Sequence, residues 1–158
     1  MCSSDLKMLI CQAVALEDVV IDADEVMSGQ NIQIKMLPCR IGRMERLAED
    51  VMRLYLTLPK SQEFNFIPGQ YIDLIMKDGQ RRSFSNASLP GQIRDDGLEL
   101  HIRLVPDGQF TPRVFNAIKE PDLLRLEVPF GTYFMQSDAD RQIIKVAGGT
   151  GFAPIKGL

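Results

Sequence analysis

From Asp95-Asp96-Gly97 onward the chain alternates without a break: Leu98, Leu100, Ile102 and Leu104 on one side, Glu99, His101 and Arg103 on the other. A period of two fits a strand with one face on a core, so the leucine side is read as inward and the other three residues as outward. The same period runs through Val51 to Leu58, where Leu54, Leu56 and Leu58 alternate with Arg53, Tyr55 and Thr57. It returns in Gln70 to Met76, with Ile72, Leu74 and Met76 on one face. Cys39 to Arg46, Arg81 to Ala87 and Leu123 to Val128 read as further extended runs. Turn signals such as Lys77-Asp78-Gly79-Gln80 separate them. One helix interrupts the series: Thr111 reads as its cap, Pro112 as its first residue, Val114, Phe115 and Ile118 as its apolar stripe, and Pro121 as its stop. Near the end, the apolar run Gln142 to Ala147 leads into Gly148-Gly149-Thr150-Gly151, as a parallel strand enters a glycine loop.

The fold class expected is therefore mainly β: a small antiparallel Greek-key barrel with one short helix, followed by the first strand and glycine loop of a truncated α/β domain. At 158 residues, 45% hydrophobic and 25% charged, the chain has room for one globular domain and fragments of neighbours. A net charge of −3 argues against a nucleic-acid partner. No apolar run approaches the ~20 residues of a membrane span, and no basic segment precedes an apolar one at the start, so a soluble cytoplasmic protein is expected. Cys2, Cys11 and Cys39 are too few and too scattered for a disulfide framework or a closed zinc site. Cys39, in a strand, reads as a small core residue.

Both ends carry expectations of their own. Cys2-Ser3-Ser4-Asp5-Leu6 is what TGC-TCT-TCC-GAT-CTN would encode, DNA that matches the end of a widely used sequencing adapter. Residues 1–6 are accordingly read as an assembly scar, with a native polar N-terminus as the alternative. At the other end the sequence stops just where the glycine loop should launch a helix, so the gene is expected to continue. A parallel strand needs a crossover of a dozen or more residues to reach its neighbour, so Gln142 to Ala147 should lack a partner and the loop should be poorly ordered.

Three local patterns could carry chemistry. In Arg82-Ser83-Phe84-Ser85 the alternation puts Arg82 and Phe84 on one face and Ser85 at the strand's end, an arrangement that could hold a phosphate, stack on a planar ring and bond to its edge. An edge strand with a solvated arginine would look the same. Gly108-Gln109-Phe110-Thr111 opens the helix at Pro112, where free amides suit an anion, although a capped helix without a ligand reads identically. Gly148-Gly149-Thr150-Gly151-Phe152-Ala153-Pro154 differs in spacing from the six-residue dinucleotide fingerprint, and it fits either nucleotide approach or a plain tight loop.

Taken in order, Pro68-Gly69-Gln70-Tyr71, Arg82-Ser83-Phe84-Ser85, Gly108-Gln109-Phe110-Thr111 and Gly148 to Pro154 strongly resemble the ferredoxin-NADP reductase superfamily across Ile34 to Leu158. Within it the chain is most similar to iron-sulfur flavoprotein reductases of the CDP-6-deoxy-delta-3,4-glucoseen reductase type, and to oxygenase reductase components and NAD(P)H-flavin reductases. Leu9-Ile10-Cys11-Gln12-Ala13 through Ile21 resembles the tail of a plant-type ferredoxin domain. The division this implies is a ferredoxin-type tail and linker over 7–33, an FAD-binding barrel over 34–136 and the start of an NAD(P)-binding domain over 137–158.

The resemblance implies FAD contacts at Arg82 (pyrophosphate), Ser83, Phe84 (ring or ribityl) and Ser85 (flavin N5). It implies further FAD contacts along His101, Ile102 and Arg103 and at the turn Gly108, Gln109, Phe110 and Thr111. Gly148, Gly149, Thr150, Gly151 and Pro154 would take NAD(P)H. Many relatives carry tyrosine where this chain has Phe84, a loss of one hydroxyl bond. Cys11 matches the fourth 2Fe-2S ligand, but the Cys-x4-Cys-x2-Cys that should precede it is absent, so the chain by itself cannot hold the cluster.

The activity implied is hydride transfer from NAD(P)H to FAD, then single-electron steps to a 2Fe-2S centre and an acceptor protein, an oxygenase or dehydratase component. For the chain alone, without a complete nucleotide domain, inactivity is expected. A reductase of free flavin and a non-catalytic flavin-binding or redox-sensing module remain alternatives. The choice between NADH and NADPH, FAD against FMN beyond the resemblance, the acceptor and the oligomeric state stay open.

Overall fold

The computed structural model describes residues 14–20, 33–61, 65–76, 78–89, 91–133, 135 and 142–158. The proposed scar and Cys11 lie outside them. Among the described residues six strands form: β1 (Lys35–Ala48), β2 (Val51–Thr57), β3 (Tyr71–Ile75), β4 (Arg81–Ser85), β5 (Leu98–Arg103) and β6 (Leu123–Phe130). They hydrogen-bond in the order β4-β3-β6-β1-β2-β5, every pair antiparallel. Just past β4, Asn86 bridges to Leu100 of β5, and the Ala87 N–H donates to the Glu99 carbonyl at 2.9 Å. The two sheet edges thus meet and the sheet closes, with β6 returning across the barrel to lie between β1 and β3, the expected Greek-key crossover.

The alternation in the sequence is what fills this barrel. Ile41, Leu54, Leu74, Leu100 and Leu126, one from each of five strands, are at most 1% exposed. Burying each stabilises the fold by about 1.5–3 kcal/mol. Cys39 lies among them, and burial pushes its thiol up to about 12 against an opposing hydrogen bond with the Leu124 backbone, which leaves it unreactive. The helix α2 (Thr111–Asn116) brings Val114 and the preceding Phe110 into the same core.

β1 outruns the expected Cys39 to Arg46 at both ends and carries Pro38 within it. Its first half, Lys35 to Arg40, pairs with β6, and from Arg40 onward it pairs with β2, with a register shift between Ile41 and Arg43. A shift of this kind bends a strand enough to serve two neighbours. At the entrance to β3, Gly69 has φ +94°, and a Cβ there would stand 1.7 Å from the Tyr133 carbonyl oxygen. Only glycine lets the two backbones pass. The Gln70 side chain fastens the same corner, accepting from the Ile67 N–H at 2.8 Å and donating to the Gly131 carbonyl at 3.3 Å.

Four expectations are corrected. Among the described residues a short helix α1 (Ile93–Asp96) stands where none was expected, beside α2 and, after a 3-10 turn at Gly149–Gly151, α3 (Phe152–Gly157), the helix the glycine loop was expected to launch. Gln142 to Ala147 forms no strand; Ile144 is 90% exposed and no described strand lies alongside to supply a ladder. The glycine turn is nevertheless supported, because α3 packs against β5. For that reason Glu99 and His101, read as outward and therefore solvated, are 4% and 9% exposed. They do point out of the barrel, into a second layer. Among the described residues no helix is long and apolar enough to cross a membrane.

Candidate functional site

The β3–β4 hairpin sorts its side chains by register. Arg82 lies opposite Leu74 and Phe84 opposite Ile72, while Ser83 lies opposite Asp73 and Ser85 opposite Tyr71. On the Ser83 face the polar groups are satisfied locally. Ser83 Oγ donates to Asp73 Oδ1 at 2.6 Å, and Arg81 pairs with Glu127 through Nε at 3.0 Å and Nη2 at 2.8 Å. Arg82 differs: its guanidinium donates to the Arg81 carbonyl and to Gln80 Oε1, both at 2.8 Å, and meets no carboxylate among the described residues. Its charge is left for an anion.

Phe84 leans on Phe110, with ring centroids 5.7 Å apart at 50°. That contact brings the strand Arg82 to Ser85 together with the turn Gly108 to Thr111. The turn itself is held by Thr111, whose hydroxyl accepts from the Val105 N–H at 2.8 Å and donates to the Val105 carbonyl at 3.1 Å. The expected N-cap role is corrected by this geometry: Phe110 occupies the cap position with αR dihedrals, and Thr111 is already helical. A capping oxygen must come from an extended residue before the helix, so here the hydroxyl turns back to staple the loop. Pro112 sits in the first turn, as expected.

On the outside of β5 a charged cluster is buried. Glu99 Oε1 accepts from His101 Nε2 at 2.8 Å, and since a carboxylate can only accept, that nitrogen carries the hydrogen. Glu99 Oε2 accepts from Lys156 of α3, and Arg53 Nη1 stands 3.8 Å from Oε1. Burial pushes the Glu99 carboxyl up, but the bonds from Lys156 and His101 outweigh it and hold the group below the usual carboxylate range. Phe152 stacks on the His101 ring at 6.3 Å and 14°. Beside them a groove of about 270 Å³ runs between Ala48 and Val51 on one side and Gly149, Thr150 and Phe152 on the other.

The residues singled out by sequence are thus divided between two places. Arg82, Phe84, Phe110 and Thr111 gather at one, with Gly108 in the same turn and Gln109 exposed beside it. His101, Arg103, Gly149 and Thr150 gather at the other, where Arg103 Nε pairs with Asp50 at 2.8 Å; Ile102 faces the core. The Asn86–Leu100 bridge links the two, for its register continued by one pair sets Ser85 across from His101. The Ser85 hydroxyl has no hydrogen-bond partner among the described residues. Glu99, Lys156 and Arg53 were not singled out; the available hint was the match between an i, i+2 pair on the strand (Glu99, His101) and an i, i+4 pair on the helix (Phe152, Lys156). Among the described residues no group of three or more His, Cys, Asp or Glu could hold a metal ion.

Comparison with known proteins agrees with this architecture. Residues 38–135 match the family model of the oxidoreductase FAD-binding domain. A CDP-6-deoxy-L-threo-D-glycero-4-hexulose-3-dehydrase reductase of Yersinia pestis is 41% identical over 151 residues, 96% of this chain and 45% of the relative. Reductase component 1 of a terephthalate 1,2-dioxygenase from Comamonas sp is 35% identical over 158 residues, 100% of this chain and 46% of the relative. Among solved structures, a ferredoxin reductase in carbazole 1,9a-dioxygenase superposes with a TM-score of 0.71 at 27% identity, covering 81% of this chain and 38% of that one. The chain therefore spans a little under half the length of the curated relatives it matches. With the match running from within β1 to beyond β6, the chain belongs to the family of oxidoreductase FAD-binding domains.

Proposed function

We propose that this chain is the flavin-carrying part of an NAD(P)H-dependent reductase that passes electrons through FAD to a 2Fe-2S centre and on to an acceptor protein, an oxygenase or dehydratase component. The observation that carries the reading is the meeting of Phe84 with Phe110 beside a guanidinium, Arg82, that no carboxylate among the described residues neutralises. These groups suit FAD: a cation for the pyrophosphate, an aromatic edge for the ring system, and at Ser85 a hydroxyl without a partner among the described residues for the flavin N5 region. When bound, FAD supplies the capacity to accept a hydride and release single electrons. The protein's part is to anchor the phosphates at Arg82 and the Gly108–Thr111 turn, to orient the ring with Phe84 and Ser85, and to keep that edge facing the nucleotide.

NAD(P)H is assigned to the Gly148–Gly151 turn and Pro154. In support, a Cβ on Gly148 or Gly151 would meet nothing within 4 Å, so the fold itself does not require glycine there. Backbone access for a ligand does. His101 and Arg103 then belong to the boundary between the two ligands. The proposed division at 34–136 and 137–158 follows the same reading, as does a cytoplasmic setting. The 2Fe-2S centre is outside what this chain can hold, because the upstream cysteines are absent; Cys11 would be its fourth ligand only in a longer protein. No step of this chain's chemistry is routed through it.

Mass spectrometry of the cofactor released from the purified chain tests the reading, with FAD expected; FMN, or no flavin after incubation with FAD, would overturn it. Anaerobic mixing of the FAD-loaded chain with NADH, followed by flavin absorbance, then compares it with a full-length reductase of the same family. Slow bleaching of this chain and rapid bleaching of the longer one are expected. Comparable rates would show that the additional residues of that reductase are not needed to hold the nicotinamide.

A further inference from the structure

We infer that Glu99 is a positioning residue which, through Lys156 and His101, fixes α3 and hence the Gly148–Gly151 turn against the β5 face. The inference rests on the assignment of that turn to NAD(P)H. It starts from a match of periodicities: Glu99 and His101 project from the same face of β5, and Lys156 and Phe152 project from one face of α3, so that ion pair and ring stack form together. The Glu99 side chain is 5% exposed. A carboxylate that buried needs its cations, so undocking of α3 would leave it with His101 and a more distant Arg53.

A second observation fixes the other end of the helix. A Cβ on Gly157 would stand 2.8 Å from the Asn86 carbonyl oxygen, so α3 lies directly on the backbone that follows Ser85. One end of the segment 149–157 therefore sits beside Arg103 and the other on the β4–β5 seam. Between the two, the Glu99 contacts set how the turn faces the residue proposed for the flavin N5 edge. In this reading Glu99 acts through α3.

The test uses the FAD-loaded 158-residue chain and its variants Lys156→Ala, Lys156→Arg and Glu99→Gln, with amide hydrogen exchange of 148–157 read by mass spectrometry, without NADH and with NADH in large excess, whose phosphates are assigned to the turn whether or not the nicotinamide ring is held near the flavin. Lys156 is partly exposed, so its variants should fold, and equal FAD content will check this. Exchange over 149–157 is expected to rise about tenfold in Lys156→Ala and Glu99→Gln and to return close to wild type in Lys156→Arg, with NADH protection of 148–151 lost only in the first two. Unchanged exchange in Lys156→Ala, or an equal rise in Lys156→Arg, would overturn the ion-pair anchor. NADH protecting wild type and Lys156→Ala alike would leave the nucleotide assignment standing and overturn the positioning role. No NADH protection even in wild type would overturn the nucleotide assignment, and the positioning role with it.

Discussion

Arg81 and Arg82 are adjacent, carry the same charge and point to opposite faces of β4, which makes them each other's control. Arg81 spends its charge on Glu127, in a pair whose side chains are 54% and 21% exposed. Removing it should cost at most about 1 kcal/mol of stability and leave FAD untouched. Among the described residues Arg82 is held by Gln80 and a backbone carbonyl alone, so Arg82→Ala should barely alter stability. If the guanidinium anchors the pyrophosphate, the substitution removes a charge-assisted hydrogen bond worth about 1.5–3 kcal/mol. At 1.4 kcal/mol per decade that is a roughly ten- to hundredfold weaker FAD complex. Fluorescence quenching of FAD by the apo-protein gives the affinity and urea denaturation the stability. FAD binding by Arg82→Ala at wild-type strength would refute the anchor, and equal weakening in both variants would reduce the effect to general surface charge.

Three further outcomes follow from the geometry. Gly69→Ala should lose about 3–4 kcal/mol in urea denaturation, since a side chain at φ +94° is strained and its Cβ collides with the Tyr133 carbonyl; a loss below about 1 kcal/mol would mean the two strands do not cross so closely. Thr111→Val should cost about 0.5–1.5 kcal/mol by removing the hydroxyl's two bonds to Val105, with Thr111→Ser near wild type because it keeps both bonds; a loss in Thr111→Ser with Thr111→Val near wild type would point to the methyl group instead. Glu99 titrates lower in the folded chain than unfolded, so its contribution is complete above about pH 4.3 and disappears as the pH falls through the folded value. Thermal melts from pH 7 to 3 should show a steeper acid limb for wild type than for Glu99→Gln, and superimposable limbs would remove the linkage.

The strands were legible because a closed barrel with a dry interior imposes a period of two, and Leu98 to Arg103 obeys it fully. Pro112 likewise announced the start of α2. The errors have local and distant causes. Thr111 was misread because capping depends on which residue stays extended, and a shift of one position turns a cap into a staple. Glu99 and His101 were placed on the right face but in the wrong environment, since the helix that covers them lies some fifty residues further along and nothing in β5 announces it. The apolar run Ile143-Ile144 to Val146 looked like a strand, yet a strand exists only with a partner, and the partner's absence, which the crossover length already announced, leaves the run without a ladder. At the candidate site, sequence named Arg82 and Phe84 but could not show that Arg81 is already neutralised, because Glu127 stands on a strand forty-odd residues away.

The division of β1 between two neighbours also sets the timetable on which the barrel can form. Its second half meets β2 through a short turn, an early and local event. Its first half pairs with β6, Lys35 opposite Val128, so it waits for more than ninety further residues to be made. At about 5–20 residues per second, synthesis leaves that segment without its ladder for roughly 5–20 s. During this interval Leu37 and Cys39, core residues in the finished fold, have no β6 to cover them. The barrel closes late, by its longest-range pairing, and a nascent chain stalled before Leu123 would present an open edge at β1 to any neighbour able to add a strand.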